Sequence, residues 1–573
     1  MTERDTNAWP WPGELLSVAA LGALQTVAYV HTWAWPVQAL CMAVLAWRVM
    51  QASVRRAAVL GLVYGSAWMG AGVWWLFISM HRYGGLPAPV AALAVVVLAV
   101  VLGLYLAVAS AIFARARRGH VLVDATLFAL AWLVAELARG LLFTGFPWLS
   151  SGYGQVDGPL AAWAPWVGVY GIGAWLAFCA GLVAALALEW QDRPPVAVAQ
   201  SVRALPALAV LALPGLIGDD AVATQPAGSL RVTLLQTMVP QDEKFALQRL
   251  PQSLAELADM LAAAEGDLVV APETAVPLLP SQLREFDPDY WPRLQARFAA
   301  PGGPLALLGV PLGDFASGYT NSVVGLGART PYRYDKSHLV PFGEFVPRGT
   351  RWFVDLMAIP LGDFDRGPVD APSFTVGRQR VAPNICYEDL FGEELARRFA
   401  DASAQPTVLA NLSNIGWFGN TIAVDQHLNI SRMRTLELQR PMIRATNTGA
   451  TAIIDHRGRV SVRLPAYQRG VAVGVVEGRR GRTPYAAWVG AMGLWPVLGA
   501  ALLMLGWAAV AGPRSGRGGD GSRSRLHESR AGRDSRQPRD SRRGDTASDL
   551  RPTSRPPAPA SEGTSGGNTR PGR

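Results

Sequence analysis

Apolar and polar positions divide the chain into regions of different period. Leu15 to Trp47 carries no Asp, Glu, Lys or Arg, and a His31-Thr-Trp-Ala-Trp-Pro36 break splits it into a hairpin of two helices. Ala57–Met80, Ala88–Ala114, Val121–Phe143, Pro159–Leu188 and the shorter Ala204–Gly218 follow, and Ala486–Ala511 comes much later. A helix needs about 20 apolar residues to cross a bilayer. The pattern therefore predicts a seven-helix transmembrane domain over 14–220 and an eighth transmembrane helix over 485–511.

Residues 228–480 read differently. Short apolar runs bounded by turn residues recur at Leu230–Leu235, Asp267–Ala271, Leu305–Val310, Ser322–Leu326, Val381–Ile385, Thr407–Leu412, Ile443–Asn447, Thr451–Ile454, Val460–Leu464 and Gly470–Val476. Runs of this length are expected as strands. Helix-period patterns interleave at Ser253–Ala264, Asp289–Ala300, Glu393–Ala402 and Asp425–Gln439, which predicts a self-contained α/β layer domain.

Charge fixes the orientation expected for the helices. Arg48, Arg55 and Arg56 follow the second span, Arg115, Arg117 and Arg118 the fourth, and Arg193 and Arg203 the sixth, whereas the alternate loops carry only Arg82. By the positive-inside rule, residues 1–13 are a cytoplasmic N-terminus, 228–480 lie on the extracytoplasmic side, and 513–573 return to the cytoplasm. The tail holds 14 Arg against 7 Asp plus Glu with almost no apolar content, so it is expected to be disordered. It accounts for most of the formal charge of +9, which leaves a near-neutral body with no nucleic-acid footprint. Charged residues make up only 17% of the chain, against about 25% in soluble domains. The first apolar segment runs on far past the length of a signal peptide and is expected to stay as an anchor.

Three cysteines make no disulfide framework. Cys41 and Cys179 lie inside apolar runs, but Cys386 stands in Asn384-Ile-Cys-Tyr-Glu-Asp389, between a strand and a short helix pattern. A cysteine there can be held rigidly yet stay reachable, and a helix N-terminus or a cation favours its thiolate. Two other strand exits carry chemistry. Leu268-Val-Val-Ala-Pro-Glu273 delivers a carboxylate; Arg333-Tyr-Asp-Lys336-Ser-His-Leu-Val-Pro-Phe-Gly-Glu344 delivers a lysine and a second carboxylate. The chain writes nearly every cation as arginine and keeps only two lysines, Lys244 and Lys336. A compact ammonium with a movable pKa does what the arginine fork cannot. Glu136 and Arg139 are spaced to pair on one face of the fifth span, where charge at membrane depth is rare.

Glu273, Lys336 and Cys386 on successive strand exits, within the words PET, DKSHLVPFGE and CYE, resemble the Glu-Lys-Cys triad of the nitrilase superfamily. Over about residues 10–511 the chain resembles that superfamily's membrane-embedded branch, the apolipoprotein N-acyltransferase family. The resemblance implies an αββα sandwich over 228–480 in a bacterial inner-membrane protein, monomeric, without metal or other cofactor. It also implies the chemistry. Cys386 takes an acyl chain from a phospholipid as a thioester, Glu273 moves the proton, and Lys336 stabilises the oxyanion. A diacylated apolipoprotein then accepts the chain on its α-amine. Glu344 and Glu388 resemble the family's supporting carboxylates, expected to hold Lys336 and orient the incoming nucleophile, although Glu388 is equally suited to capping a helix. Tyr387, Trp417 and Phe418, with Trp148 in the family-like TGFPWL word, are expected to contact substrate. Two rival readings remain from the sequence: a tethered amidase hydrolysing a small amide, for which one span would suffice, and an inactive transporter or scaffold, against which the intact triad speaks.

Overall fold

The computed structural model describes residues 12–217, 224–347, 349 and 363–511. The expected tail and the first eleven residues lie outside them. Among the described residues of the α/β part, twelve strands form two six-stranded sheets. The first runs β12-β1-β2-β3-β4-β5, with β1 (Thr224–Gln236), β2 (Leu268–Val270), β3 (Leu305–Asp314), β4 (Gly318–Leu326), β5 (Tyr332–Asp335) and β12 (Gly470–Gly481). The second runs β11-β10-β9-β8-β7-β6, with β6 (Phe374–Val376), β7 (Gln379–Ile385), β8 (Val408–Ser413), β9 (Met442–Thr446), β10 (Ala452–Ile454) and β11 (Val460–Arg463). The central strands β1-β2-β3 and β7-β8-β9 are parallel, and the flanking pairs are antiparallel.

The strands alternate between two cores because side chains on a strand point to opposite faces in turn. Val232, Leu234, Leu268, Val270 and Leu307 meet Val381, Ile385, Val408, Ala410 and Ile443 between the sheets. Leu235, Val269, Ala306 and Leu308 face the other way, onto α1 (Leu250–Ala263), α2 (Pro280–Phe286) and α3 (Tyr290–Phe298). The outer face of the second sheet packs on α4 (Gly392–Arg397) and α5 (Ala423–Leu438). Central parallel strands buried on both faces need continuous apolar runs, which is the pattern the sequence carries. The expected strand list omits β5 and β6, and the helix list omits α2. The expected helix Glu393–Ala402 ends early, at Arg397.

Among the described residues, four helical stretches are long and apolar enough to cross a membrane: Pro12–Val30, Ala88–Ala116, Val121–Thr144 and Pro159–Asp192. Two bent pairs bring the number to six, Val54–Val73 with Leu76–Tyr83 at 60° and Pro484–Met492 with Trp495–Ala511 at 87°. The last span, expected as continuous, thus breaks at Gly493, whose φ of +67° no helix accommodates. Trp35–Met50 has only 16 residues, and the helix Pro194–Ile217 starts ahead of the expected seventh span. Ala88–Ala116 turns Leu93, Val97, Val101, Leu104 and Val108 outward, an apolar face that fits a membrane domain.

α5 seats the sandwich on these helices. Its buried Gln426 donates to Gly72 O at 3.0 Å and accepts from the indole nitrogens of Trp75 at 3.1 Å and Trp148 at 2.8 Å. Asn429 donates to Tyr29 O at 3.0 Å, and Glu437 accepts from Val169 N at 2.7 Å. Glu136 and Arg139 do pair, at 3.7 Å, and both are buried. Glu136 accepts from Ser151 N at 2.6 Å and Arg139 donates to Phe146 O at 2.7 Å, so the pair pins both ends of the loop that carries Trp148. Replacing Gln426 with Leu strips the Trp148 indole of its acceptor inside this seam, at a cost of about 1–3 kcal/mol. The thermal unfolding midpoint of Gln426→Leu is expected to fall measurably; an unchanged midpoint would show that the seam is not held this way.

Candidate active site

Three strand exits converge at one end of the sandwich. β2 stops at Val270, and Pro272, which has no N–H to continue a ladder, turns Glu273 inward. Lys336 follows β5, its N–H bonded to Asn321 O at 2.8 Å and its carbonyl to Gly367 N at 2.9 Å. Cys386 follows β7 and opens a short 3-10 helix, Cys386–Leu390. Its φ is +51°, a left-handed backbone that non-glycine residues seldom adopt. The sharp corner leaves the side chain partly exposed at the head of the helix.

Lys336 is 1% exposed and makes two ion pairs, with Glu344 at 2.8 Å and Glu273 at 3.4 Å. Burial would push the ammonium down, but Glu344 and then Glu273 outweigh it and hold it above its ordinary value. The Asn321 amide donates to both carboxylates, at 2.8 Å to Glu273 and 2.9 Å to Glu344. The second oxygen of Glu273 accepts from Asn414 N at 2.8 Å, and that of Glu344 from Val340 N at 2.9 Å. Enclosure, and then the charge of Glu273, push the Cys386 thiol up to about 12, against the pull of Lys336 and the Ser413 hydroxyl. Burial is the largest cause and Glu273 the next; Lys336 pulls the sulfur toward thiolate, but more weakly.

Lys244 is buried behind this group and donates to the main-chain oxygen of Glu273 at 3.0 Å. Burial pulls it down to about 8, although Glu273 and Cys386 oppose the shift. Glu388 has a different place from Glu344. Among the described residues it accepts from Ser337 N at 2.6 Å, Ser337 Oγ at 2.7 Å, His338 N at 3.1 Å, Tyr334 Oη at 2.7 Å and Ile385 N at 2.6 Å. Those bonds cap the Cys386 helix and tie it to the Lys336 strand, and they occupy the carboxylate so fully that none of it is left for an incoming nucleophile. Tyr387 is buried and donates to Gly145 O at 3.2 Å. Trp417 is 39% exposed and meets Tyr83 edge-on at 5.7 Å, while Phe418 packs on Trp75 at 4.2 Å. Trp148, 3% exposed, lies behind Phe418 at 6.1 Å instead of on an open wall.

Asn321, Asn414, Ser413 and Lys244 reach the site without having been assigned to it from sequence. Asn321 carried a signal: a buried polar residue within β4, just ahead of the apolar stretch Ser322–Leu326. No group of three or more His, Cys, Asp or Glu placed to hold a metal occurs among the described residues.

Gly309 on β3 faces the Glu273 turn so closely that a Cβ would lie 2.3 Å from Pro272 O and 2.7 Å from Glu273 Cα. Gly309→Ala must displace Glu273, and a shift near 1 Å is worth about 10²-fold in rate. The expected result is a loss of turnover of that order with the fold retained; wild-type turnover would show that the carboxylate's position is not critical.

Two family models match the chain: the apolipoprotein N-acyltransferase N-terminal domain over residues 21–182 and the carbon-nitrogen hydrolase domain over 231–485. The chain is 50% identical over 515 residues to the apolipoprotein N-acyltransferase of Verminephrobacter eiseniae, covering 85% of this chain and 90% of that protein. It is 45% identical over 497 residues to the protein of the same name from Ralstonia nicotianae, covering 85% and 91%. Among solved structures, a carbon-nitrogen hydrolase from Helicobacter pylori aligns with a TM-score of 0.33 and 15% identity, over 48% of this chain and 94% of that one. The chain belongs to the apolipoprotein N-acyltransferase family.

Proposed function

We propose that the protein moves a fatty acyl chain from a membrane phospholipid to the α-amine of a diacylated apolipoprotein through a thioester on Cys386. The observation that carries this reading is Lys336 held between Glu344 and Glu273 beside a cysteine that rests as a thiol. A thiol needs a base at the moment of attack, and Glu273 is the carboxylate whose charge acts on it most strongly.

As Sγ bonds to the ester carbonyl, its proton passes to Glu273. The oxyanion is stabilised by Lys336 and by backbone N–H groups at the head of the Cys386 helix, which lack partners within that helix. The ester C–O bond then breaks, and Glu273 returns the proton to the leaving lysophospholipid oxygen. In the second half-reaction the amine attacks the thioester and loses its proton to Glu273, the C–S bond breaks, and the sulfur recovers a proton. Glu344 keeps Lys336 charged and in place. Glu388 sets the angle between the Lys336 strand and the Cys386 corner. Trp417 and Phe418 line the acyl path with Tyr387, and Trp148 supports Phe418 from behind.

The arginine-rich loops support a cytoplasmic N-terminus and an extracytoplasmic, periplasmic active site. Reading Trp35–Met50 and Pro194–Ile217 as crossings completes eight spans in a monomer. The membrane body suits the task, because donor and acceptor are both lipids confined to the bilayer.

Incubating the purified protein with phospholipid is expected to leave on Cys386 an acyl adduct that mass spectrometry detects, hydroxylamine removes and Cys386→Ala abolishes. Adding a diacylated lipopeptide should consume the adduct and yield an N-acyl product. An adduct on another residue, or its loss to water alone, would overturn the transfer scheme.

A further inference from the structure

We infer that His427 is a positioning residue for the oxyanion hole: it clamps the Cys386 carbonyl and so aims the following Tyr387 N–H at the reacting carbon's oxygen. The inference rests on the acyl-enzyme reading above.

The Cys386 carbonyl oxygen receives two side-chain contacts, from Asn411 Nδ2 at 3.1 Å and His427 Nε2 at 3.3 Å. The donor on the histidine is settled by its other side. Arg444 Nη2 lies 3.1 Å from His427 Nδ1, and a guanidinium only donates. Nδ1 is therefore the acceptor and the ring proton sits on Nε2. That proton is shared between Cys386 O and Asp389 Oδ1, the latter at 2.9 Å. Asp389 is held in turn by the Ser431 hydroxyl and by Arg444 at 3.3 Å. His427, Asp389, Ser431 and Arg444 are all at most 1% exposed. With both nitrogens committed and neither on the sulfur, the ring is built to hold and not to shuttle protons.

What it holds matters because a peptide unit is planar and trans, with its C=O and N–H pointing in opposite directions. Fixing the oxygen of the Cys386–Tyr387 peptide fixes the direction of the Tyr387 N–H. That N–H belongs to the first turn of the Cys386–Leu390 helix, where it has no intrahelical acceptor. The clamp also holds Cys386 in its left-handed backbone, a conformation that persists only where its surroundings enforce it. The ring stacks on Trp148 at 5.5 Å and 26°, and the neighbouring Gln426 takes the Trp148 indole N–H. The membrane-side loop therefore presses on the same residue that aims the hole.

The test compares His427→Gln, which keeps an N–H donor, with His427→Met, of similar length but with none, so a folding cost common to both cancels. Full-length protein in detergent micelles is given increasing mole fractions of phosphatidylethanolamine, and the Cys386 adduct is timed by mass spectrometry. At saturating phospholipid, His427→Met is expected to acylate about 10- to 100-fold more slowly than His427→Gln, at or below the ~10²–10³-fold cost of losing a donor outright. Half-saturation should be the same in both. Equal rates, or a change in half-saturation alone, would overturn the positioning role. A wild-type protein that forms no adduct would instead remove the acyl-enzyme reading, and this inference with it.

Discussion

A single buried ammonium sets the terms for everything around it. Lys336 has lost its water and keeps its charge only because Glu344 and Glu273 stand at 2.8 and 3.4 Å. Removing either carboxylate would leave a buried charge short of a partner, which protein interiors tolerate poorly. The same arrangement decides the state of the sulfur. Burial, with the charge of Glu273 next, outweighs the pull of Lys336 and holds the thiol above its ordinary value.

The two halves of the chain meet where this matters. α5 presents Gln426 and Asn429 to the membrane-domain helices, and His427 between them to the Cys386 carbonyl. Glu136 and Arg139, deep in the helical part, fix the loop bearing Trp148, and Trp148 lies against both Phe418 and His427. Packing thus runs without a gap from a membrane-domain ion pair to the nucleophile's backbone. Membrane helices in this protein do more than tether the sandwich.

Much of this was legible in the sequence because physical constraint narrows residue choice. Strands buried on both faces must be apolar throughout, so the central strands β1–β3 and β7–β9 announced themselves. Glu273 and Cys386 stood out because each follows such a run, and Lys336 because lysine is otherwise almost absent. The short flanking strands β5 and β6 escaped, since Tyr332–Asp335 is half polar and three residues of β6 carry no period. The role of Glu388 was open between capping and catalysis, because capping depends on where the Ser337 backbone arrives from another strand. The cluster of Asp389, His427, Ser431 and Arg444 was invisible for the same reason: its members come from a corner, a helix and a strand that only the tertiary fold brings together. Gly493 hid a sharp bend inside an unbroken apolar run, where hydropathy is blind to φ.

The most direct test of the central claim is the titration of the sulfur itself. Alkylation of Cys386 by iodoacetamide, read at that residue by mass spectrometry across pH, reports thiolate alone. With the thiol pushed up to about 12, the wild-type rate should still be climbing at pH ~10. Glu273→Gln removes the repelling charge, lowers the thiol's pKa, and should bring the plateau to lower pH with faster alkylation at neutrality. A wild-type rate already flat near pH ~7, the mark of a resting thiolate, would contradict the account.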